Sequence, residues 1–217
     1  MLKVTFAGVD ETVGIDKLVG LKEDFPHIEL AVLISEKNSG TTLRYPSANY
    51  LNHFSEAISD YAVHLCGACT EKFNTWGDKF KFYNVCKKAK RIQVNKKCVI
   101  EQLKAFKTVS SFYPESTLIQ PVTQFTHGLP GNVHLLLDNS GGRGIFSEFW
   151  PAPLPDRICG YAGGISDLNI EEVLHRIKAL VPDSSNTWID MESGIRDINN
   201  KIDFGKLKEI CEAVYDS

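Results

Sequence analysis

Three apolar runs in the last third of the chain each end in a small polar loop, and those loops carry carboxylates and glycine-bearing turns, the residue types of proton transfer and anion binding. The first is Leu135-Leu136-Leu137-Asp138, followed by Asn139-Ser140-Gly141-Gly142-Arg143-Gly144. The second is Tyr161-Ala162-Gly163-Gly164-Ile165-Ser166, and the third is Ile189-Asp190-Met191-Glu192-Ser193-Gly194. Asp138 ends an otherwise apolar strand, where a carboxylate bears a desolvation cost that an exposed loop aspartate avoids; this makes it the first candidate for proton transfer. Its plainer reading is a residue that turns the chain through Asn139 and Ser140. Gly163, Gly164, Ser193 and Gly194 form the candidate phosphate cradle, because bare backbone N–H groups at a helix N-terminus approach an anion closely. Either dipeptide alone is an ordinary turn, but together they fall at consecutive strand ends before the final helices. Glu192 runs against the cradle, since it sets a negative charge beside the expected phosphate.

The elements that must hold these loops are short β-rich runs alternating with segments of helical spacing. The runs are Lys3 to Ala7, Glu29 to Ile34, Ala62 to Cys66, Arg91 to Val94, Thr117 to Val122, Val133 to Asp138, Ile158 to Ala162 and Trp188 to Met191. Eight strands alternating with helices predict a parallel sheet, and closure into a single α/β (β/α)8 TIM barrel over residues 1–217 is the usual solution at that count. An open doubly wound sheet is the alternative. Ile170, Val173, Leu174, Ile177, Leu180 and Val181 form a helical stripe behind the expected cap Ser166. Asp203 is expected to cap a last helix with Phe204, Leu207, Ile210, Cys211 and Val214 facing inward. A first helix carries Ile15, Leu18, Leu21 and Phe25, and Pro26 ends it. The stretch from Cys69 to Tyr113 has weak periodicity and must fit two helices and a strand.

In order, spacing and wording, the three C-terminal loops resemble those of the phosphoribosylanthranilate isomerase family of tryptophan biosynthesis. Its last three strands end in Leu-Leu-Asp plus a glycine-rich turn, in Ala-Gly-Gly-Leu, and in Asp-Val-Ser-Ser-Gly. The resemblance implies a barrel whose mouth isomerises a phosphorylated aminoaldose to an aminoketose without cofactor or metal. Asp138 inherits the role of general acid, protonating the ring oxygen as the sugar opens. The loop from Asn38 to Ser47 resembles the family's Ser-Pro-Arg-Tyr-Val-Ser loop, and Arg44 inherits contact with the substrate. At the N-terminus the family reads Lys-Ile-Cys-Gly-Ile, with the cysteine as base, whereas this chain reads Thr5-Phe6-Ala7-Gly8-Val9. A methyl group takes no proton, so Ala7 marks a lost base, and such assistance is typically worth about 10² to 10⁴-fold. Asp10, Glu36, His64 and Cys66 are the substitutes the sequence offers. Two functions follow: an isomerase acting on a phosphosugar, or a non-catalytic barrel that binds a phosphorylated metabolite or a protein partner.

His64-Leu65-Cys66-Gly67-Ala68-Cys69 combines a C-x-x-C spacing with a three-ligand metal set. Redox chemistry needs Cys66 at a helix N-terminus, and a metal needs a fourth partner that no second cysteine pair supplies; packed thiols are the expectation. Between Lys72 and Lys97, nine basic residues interleave with Phe73, Trp76, Phe80, Phe82 and Tyr83. That mixture binds single strands in some proteins, but an outer barrel helix shows it too, with aromatics inward and lysines in water. With 217 residues and a formal net charge of -3, the chain has no global attraction for nucleic acid or anionic membrane. No run reaches the roughly 18 apolar residues of a membrane span, and the six cysteines are too sparse for a disulfide scaffold. The expectation is a cytoplasmic protein, monomer or homodimer, whose partner is a phosphorylated small molecule.

Overall fold

The computed structural model describes residues 2–76, 79–96, 112–140, 143–181 and 186–216. Eight strands close into one parallel barrel in chain order: β1 (Lys3–Ala7), β2 (Ile28–Ile34), β3 (Ala62–Leu65), β4 (Arg91–Val94), β5 (Thr117–Val122), β6 (Val133–Asp138), β7 (Cys159–Ala162) and β8 (Thr187–Met191). β8 pairs back onto β1, with Trp188 opposite Lys3 and Met191 opposite Phe6. This closure excludes the open sheet. The helices are α1 (Ile15–Asp24), α2 (Ala48–Ala57), α3 (Cys69–Trp76), α4 (Tyr83–Lys88), α5 (Ile170–Leu180) and α6 (Phe204–Tyr215).

The expected caps divide. Asp203 accepts hydrogen bonds from the backbone N–H groups of Gly205 and Lys206, and α6 buries Leu207, Ile210, Cys211 and Val214 behind it. Ser166 does not cap α5. Asn169 takes that place, and its side chain turns back instead, accepting from Ser166 N at 2.9 Å and donating to the Gly164 carbonyl at 2.8 Å. The strict alternation of strand and helix also fails: among the described residues no helix follows β5 or β6, and loops lead into β6 and β7. The expected helical structure between Lys97 and Ser111 lies outside the described residues, as do Gly141, Gly142 and Cys98.

Every second residue of a strand enters the barrel, and the others meet the helices. Outward residues such as Phe6, Leu30, Val32 and Val63 belong to the main apolar core. Inside, two small clusters form, one of Ala7, Ala31, Leu33 and Ala62, the other of Ile119, Leu136, Ala162 and Trp188. Below them lies a buried polar plug. Glu29 receives both Arg91 and Thr5, and the Trp188 ring stacks 4.4 Å from the Arg91 guanidinium. Burial opposes the Glu29 charge, but Arg91 and then Lys3 outweigh it and hold its carboxyl down at about 2. Gly160 faces Trp188 in register, and a β-carbon there would collide with the indole; only glycine admits that ring. The plug closes the N-terminal end of the barrel and leaves the C-terminal end open.

Candidate functional site

A cavity of about 900 Å³ opens at the C-terminal ends of the strands. Active sites of this architecture lie at that face, because the loops there vary while the strands stay rigid. Asp138, Arg44, Gly163, Gly164 and Ser193 line it; Ala7 and Gly194 are not among the lining residues.

Asp138 ends β6 half-buried, and its Oδ1 accepts from the Ser140 backbone N–H at 2.9 Å and the Ser140 hydroxyl at 2.6 Å. The carboxylate therefore turns the chain, as its plainer reading expects, and also lines the cavity. Gly163 and Gly164 follow β7 with φ of +102° and +66°. Loop backbone from Ile145 and Phe146 packs onto them so closely that a side chain on Gly164 would strike the Phe146 amide. Ser193 opens a 3-10 turn, Ser193–Ile195, and its hydroxyl lies against Gly144 of the same covering loop. Gly194 packs on the Ile165 carbonyl, so its role is close approach between the last two loops.

Arg44 reaches across the mouth to Glu192, Nη1 to Oε1 at 2.5 Å, and its Nε donates to Asn200 Oδ1 at 3.3 Å. The charge that ran against the phosphate cradle thus points toward Arg44. A β-carbon on Gly8 would stand 3.2 Å from Glu192 Cγ, which puts this side chain over the end of β1. Burial raises the Glu192 pKa, and Arg44 only partly offsets it.

Ala7 ends β1 at 1% exposure, and Tyr45 and Cys66 pack against its apolar cluster. Of the four substitute bases, only His64 lines the cavity. Asp10 is buried and saturated by Arg196 at 2.8 Å and by Thr12, locking the β1 and β8 loops together. Glu36 pairs with Lys72. Cys66 accepts from Asn95 Nδ2 at 3.3 Å, and burial raises its thiol; burial pushes Cys69 up to about 11. All five described cysteines are free thiols, and no group of three or more metal-ligating side chains occurs among the described residues. Of the basic stretch, Phe80 and Phe82 are buried, with the Lys81 ammonium 5.2 Å over the Phe82 ring.

Asp190, Gln93 and Asn95 are among the cavity residues that escaped sequence reasoning. Inward alternation along β8 was the available signal, since Trp188, Asp190 and the Glu192 that follows fall on one side while Ile189 and Met191 belong to the main apolar core. Burial raises the Asp190 carboxyl well above the usual carboxylate range, despite the opposing field of Arg91, and lowers His64 to about 4.

A closed parallel barrel with acidic and anion-binding candidates at its C-terminal mouth defines the class. Solved structures then show which barrel it resembles. Phosphoribosylanthranilate isomerase from Thermus thermophilus superposes with a TM-score of 0.65 at 17% identity, covering 99% of each chain. N-(5'-phosphoribosyl)anthranilate isomerase from Pyrococcus furiosus gives 0.60 at 13% over both full chains. A phosphoribosylanthranilate isomerase bound to reduced 1-(o-carboxyphenylamino)-1-deoxyribulose 5-phosphate gives 0.63, also at 13% over both full chains. No family model and no curated protein matches the sequence. At these identities the likeness establishes the fold: the resemblance first read in three loops extends in shape over the whole chain. No helix among the described residues is long and apolar enough to cross a membrane.

Proposed function

We propose that this protein is a divergent relative of the phosphoribosylanthranilate isomerases and acts on a phosphorylated aminosugar, with Asp138 as general acid and Glu192 as base. The observation that carries the reading is the meeting of these two carboxylates in one cavity, with Glu192 laid over the end of β1. Ala7 lacks the proton acceptor, and Glu192 reaches the same region from the neighbouring strand. A carboxylate whose pKa is raised by burial is a stronger base, and Arg44 fixes its direction.

In the reaction Asp138 donates its proton to the ring oxygen as the C1–O bond breaks, leaving an iminium at C1. Glu192 then removes the C2 proton, the C–H electron pair forms the C1–C2 double bond, and the iminium is neutralised to an enolamine. Tautomerisation of the enolamine gives the aminoketose, an isomer of the starting sugar. Gly163, Gly164 and Ser193 offer backbone N–H groups to the phosphate, with Gly194 setting the approach of the two loops and Arg44 adding positive charge at the mouth. Turnover of N-(5'-phosphoribosyl)anthranilate and related ribosylamine 5-phosphates by wild-type protein and by Asp138→Asn and Glu192→Gln tests the reading. It predicts conversion by the wild type and losses of about 10²-fold or more in each variant; equal rates in all three would remove both residues.

A further inference from the structure

At the floor of the cavity, below the mouth, three strands each present a side chain with one polar atom that makes no hydrogen bond among the described residues. His64 on β3, Gln93 on β4 and Asp190 on β8 are each more than nine-tenths buried, and all three line the cavity. His64 Nε2, Gln93 Oε1 and Asp190 Oδ2 have no hydrogen-bond partner among the described residues. Buried polar atoms are nearly always paired, so three such atoms lining one open cavity must be satisfied by molecules that enter it, water or a ligand that replaces water. We propose that His64, Gln93 and Asp190 form a subsite for the uncharged hydroxyl groups of a sugar.

The geometry selects the chemistry. His64 Nε2 and Asp190 Oδ2 stand 3.7 Å apart, too far for a hydrogen bond to each other, yet one oxygen fits within about 2.8 Å of both. Gln93 Nε2 lies 3.3 Å from His64 Nδ1 and 2.8 Å from Asn95 Oδ1. The Gln93 amide thus donates to Nδ1, which places the ring proton of neutral His64 on Nε2. The bridging oxygen must accept from His64 and can donate to Asp190, which is what a hydroxyl does. An ammonium cannot accept from His64 Nε2. Gln93 Oε1 is free to accept from a second hydroxyl, and Leu136 and Ala162 line the same cavity as apolar wall. This deepens the phosphosugar reading and rests on it for the molecule that spans floor and mouth.

The test uses intact protein with three probes: inorganic phosphate, D-ribose 5-phosphate and D-ribose. The His64→Phe variant, checked for native circular dichroism, is expected to lose about tenfold in affinity for ribose 5-phosphate while its affinity for inorganic phosphate is unchanged. Equal affinity of wild type and variant for ribose 5-phosphate would overturn the subsite and leave the mouth intact. If wild type binds neither phosphate probe, the mouth reading fails, and the floor is judged on ribose alone by the His64 ring resonances in wild-type protein. Ribose shifting those resonances at millimolar concentration supports the subsite. Resonances that stay still at saturating ribose overturn it, as they also do if His64→Phe fails to fold.

Discussion

Arg44 and Glu192, 148 positions apart in sequence, face each other across the barrel mouth at 2.5 Å. The cation expected to hold a substrate anion already holds a carboxylate of its own chain. Both side chains are about 30% exposed, so the pair is worth only about 0–1 kcal/mol. An incoming anion can therefore compete for Arg44 and leave Glu192 free to accept a proton. Glu192→Gln should tighten ribose 5-phosphate binding by up to about fivefold, within that range, while turnover falls about 10²-fold or more. Titration calorimetry beside steady-state rates would show the split. Weaker binding in the variant would mean that Arg44 and Glu192 act only as a structural clasp.

Asp138→Asn keeps size and the turn at Ser140 but has no transferable proton. Turnover should fall about 10² to 10⁴-fold with the melting temperature within a few degrees of wild type. A variant that unfolds would show that the hydrogen bonds to Ser140 are its main work.

Ala7→Cys restores the resembled family's residue type but not its access. Ala7 sits in a closed apolar cluster with Tyr45 and Cys66 packed on it, and enlarging a packed residue typically costs about 1–3 kcal/mol. The variant should be less stable, react slowly with thiol reagents, and show no gain in isomerase rate. A rise in rate with a thiolate pH profile would place residue 7 at the chemistry after all.

The buried pair on the floor predicts opposite pH effects on stability. Asp190 has its carboxyl raised in the fold, so its contribution is present below the unfolded value of 3.8 and lost as pH rises. Asp190→Asn never ionises and should be more stable at pH 7, by about 1–3 kcal/mol, the difference shrinking below pH 4. His64 is lowered from 6.5 to about 4, so its contribution is present above 6.5 and is lost as pH falls through that window. Fully expressed, it amounts to roughly 3 kcal/mol. Denaturant midpoints from pH 4 to 8 would check both slopes. An Asp190→Asn variant less stable at pH 7 would contradict the buried-charge account and show that the carboxylate is held by the fold.

The eight strands were legible because buried parallel strands read as apolar runs, and their ends fall within a residue or so of the sequence expectation. The missing helices after β5 and β6 had a signal too: Gly128 and Pro130 interrupt one connection, and Pro151, Pro153 and Pro155 the other, each proline removing an N–H a helix needs. Asp138 and the glycine loops were legible because a strand end followed by a turn is local. The Arg44–Glu192 pair and the His64–Asp190 floor were not, because each joins strands or loops far apart in sequence, and only barrel closure between β8 and β1 brings β8 beside the N-terminal half. Glu192 looked like an obstacle in the sequence because its direction depends on Arg44, a partner supplied by the loop after β2.

The most direct measurement is conversion of a ribosylamine 5-phosphate to its ketose isomer, followed by chromatography in parallel with the Glu192→Gln variant. The account predicts ketose phosphate from at least one N-substituted ribosylamine 5-phosphate with the wild type, and its loss in the variant despite equal or tighter binding. No conversion above the buffer rate for any of them, or conversion that survives Glu192→Gln unchanged, would contradict it.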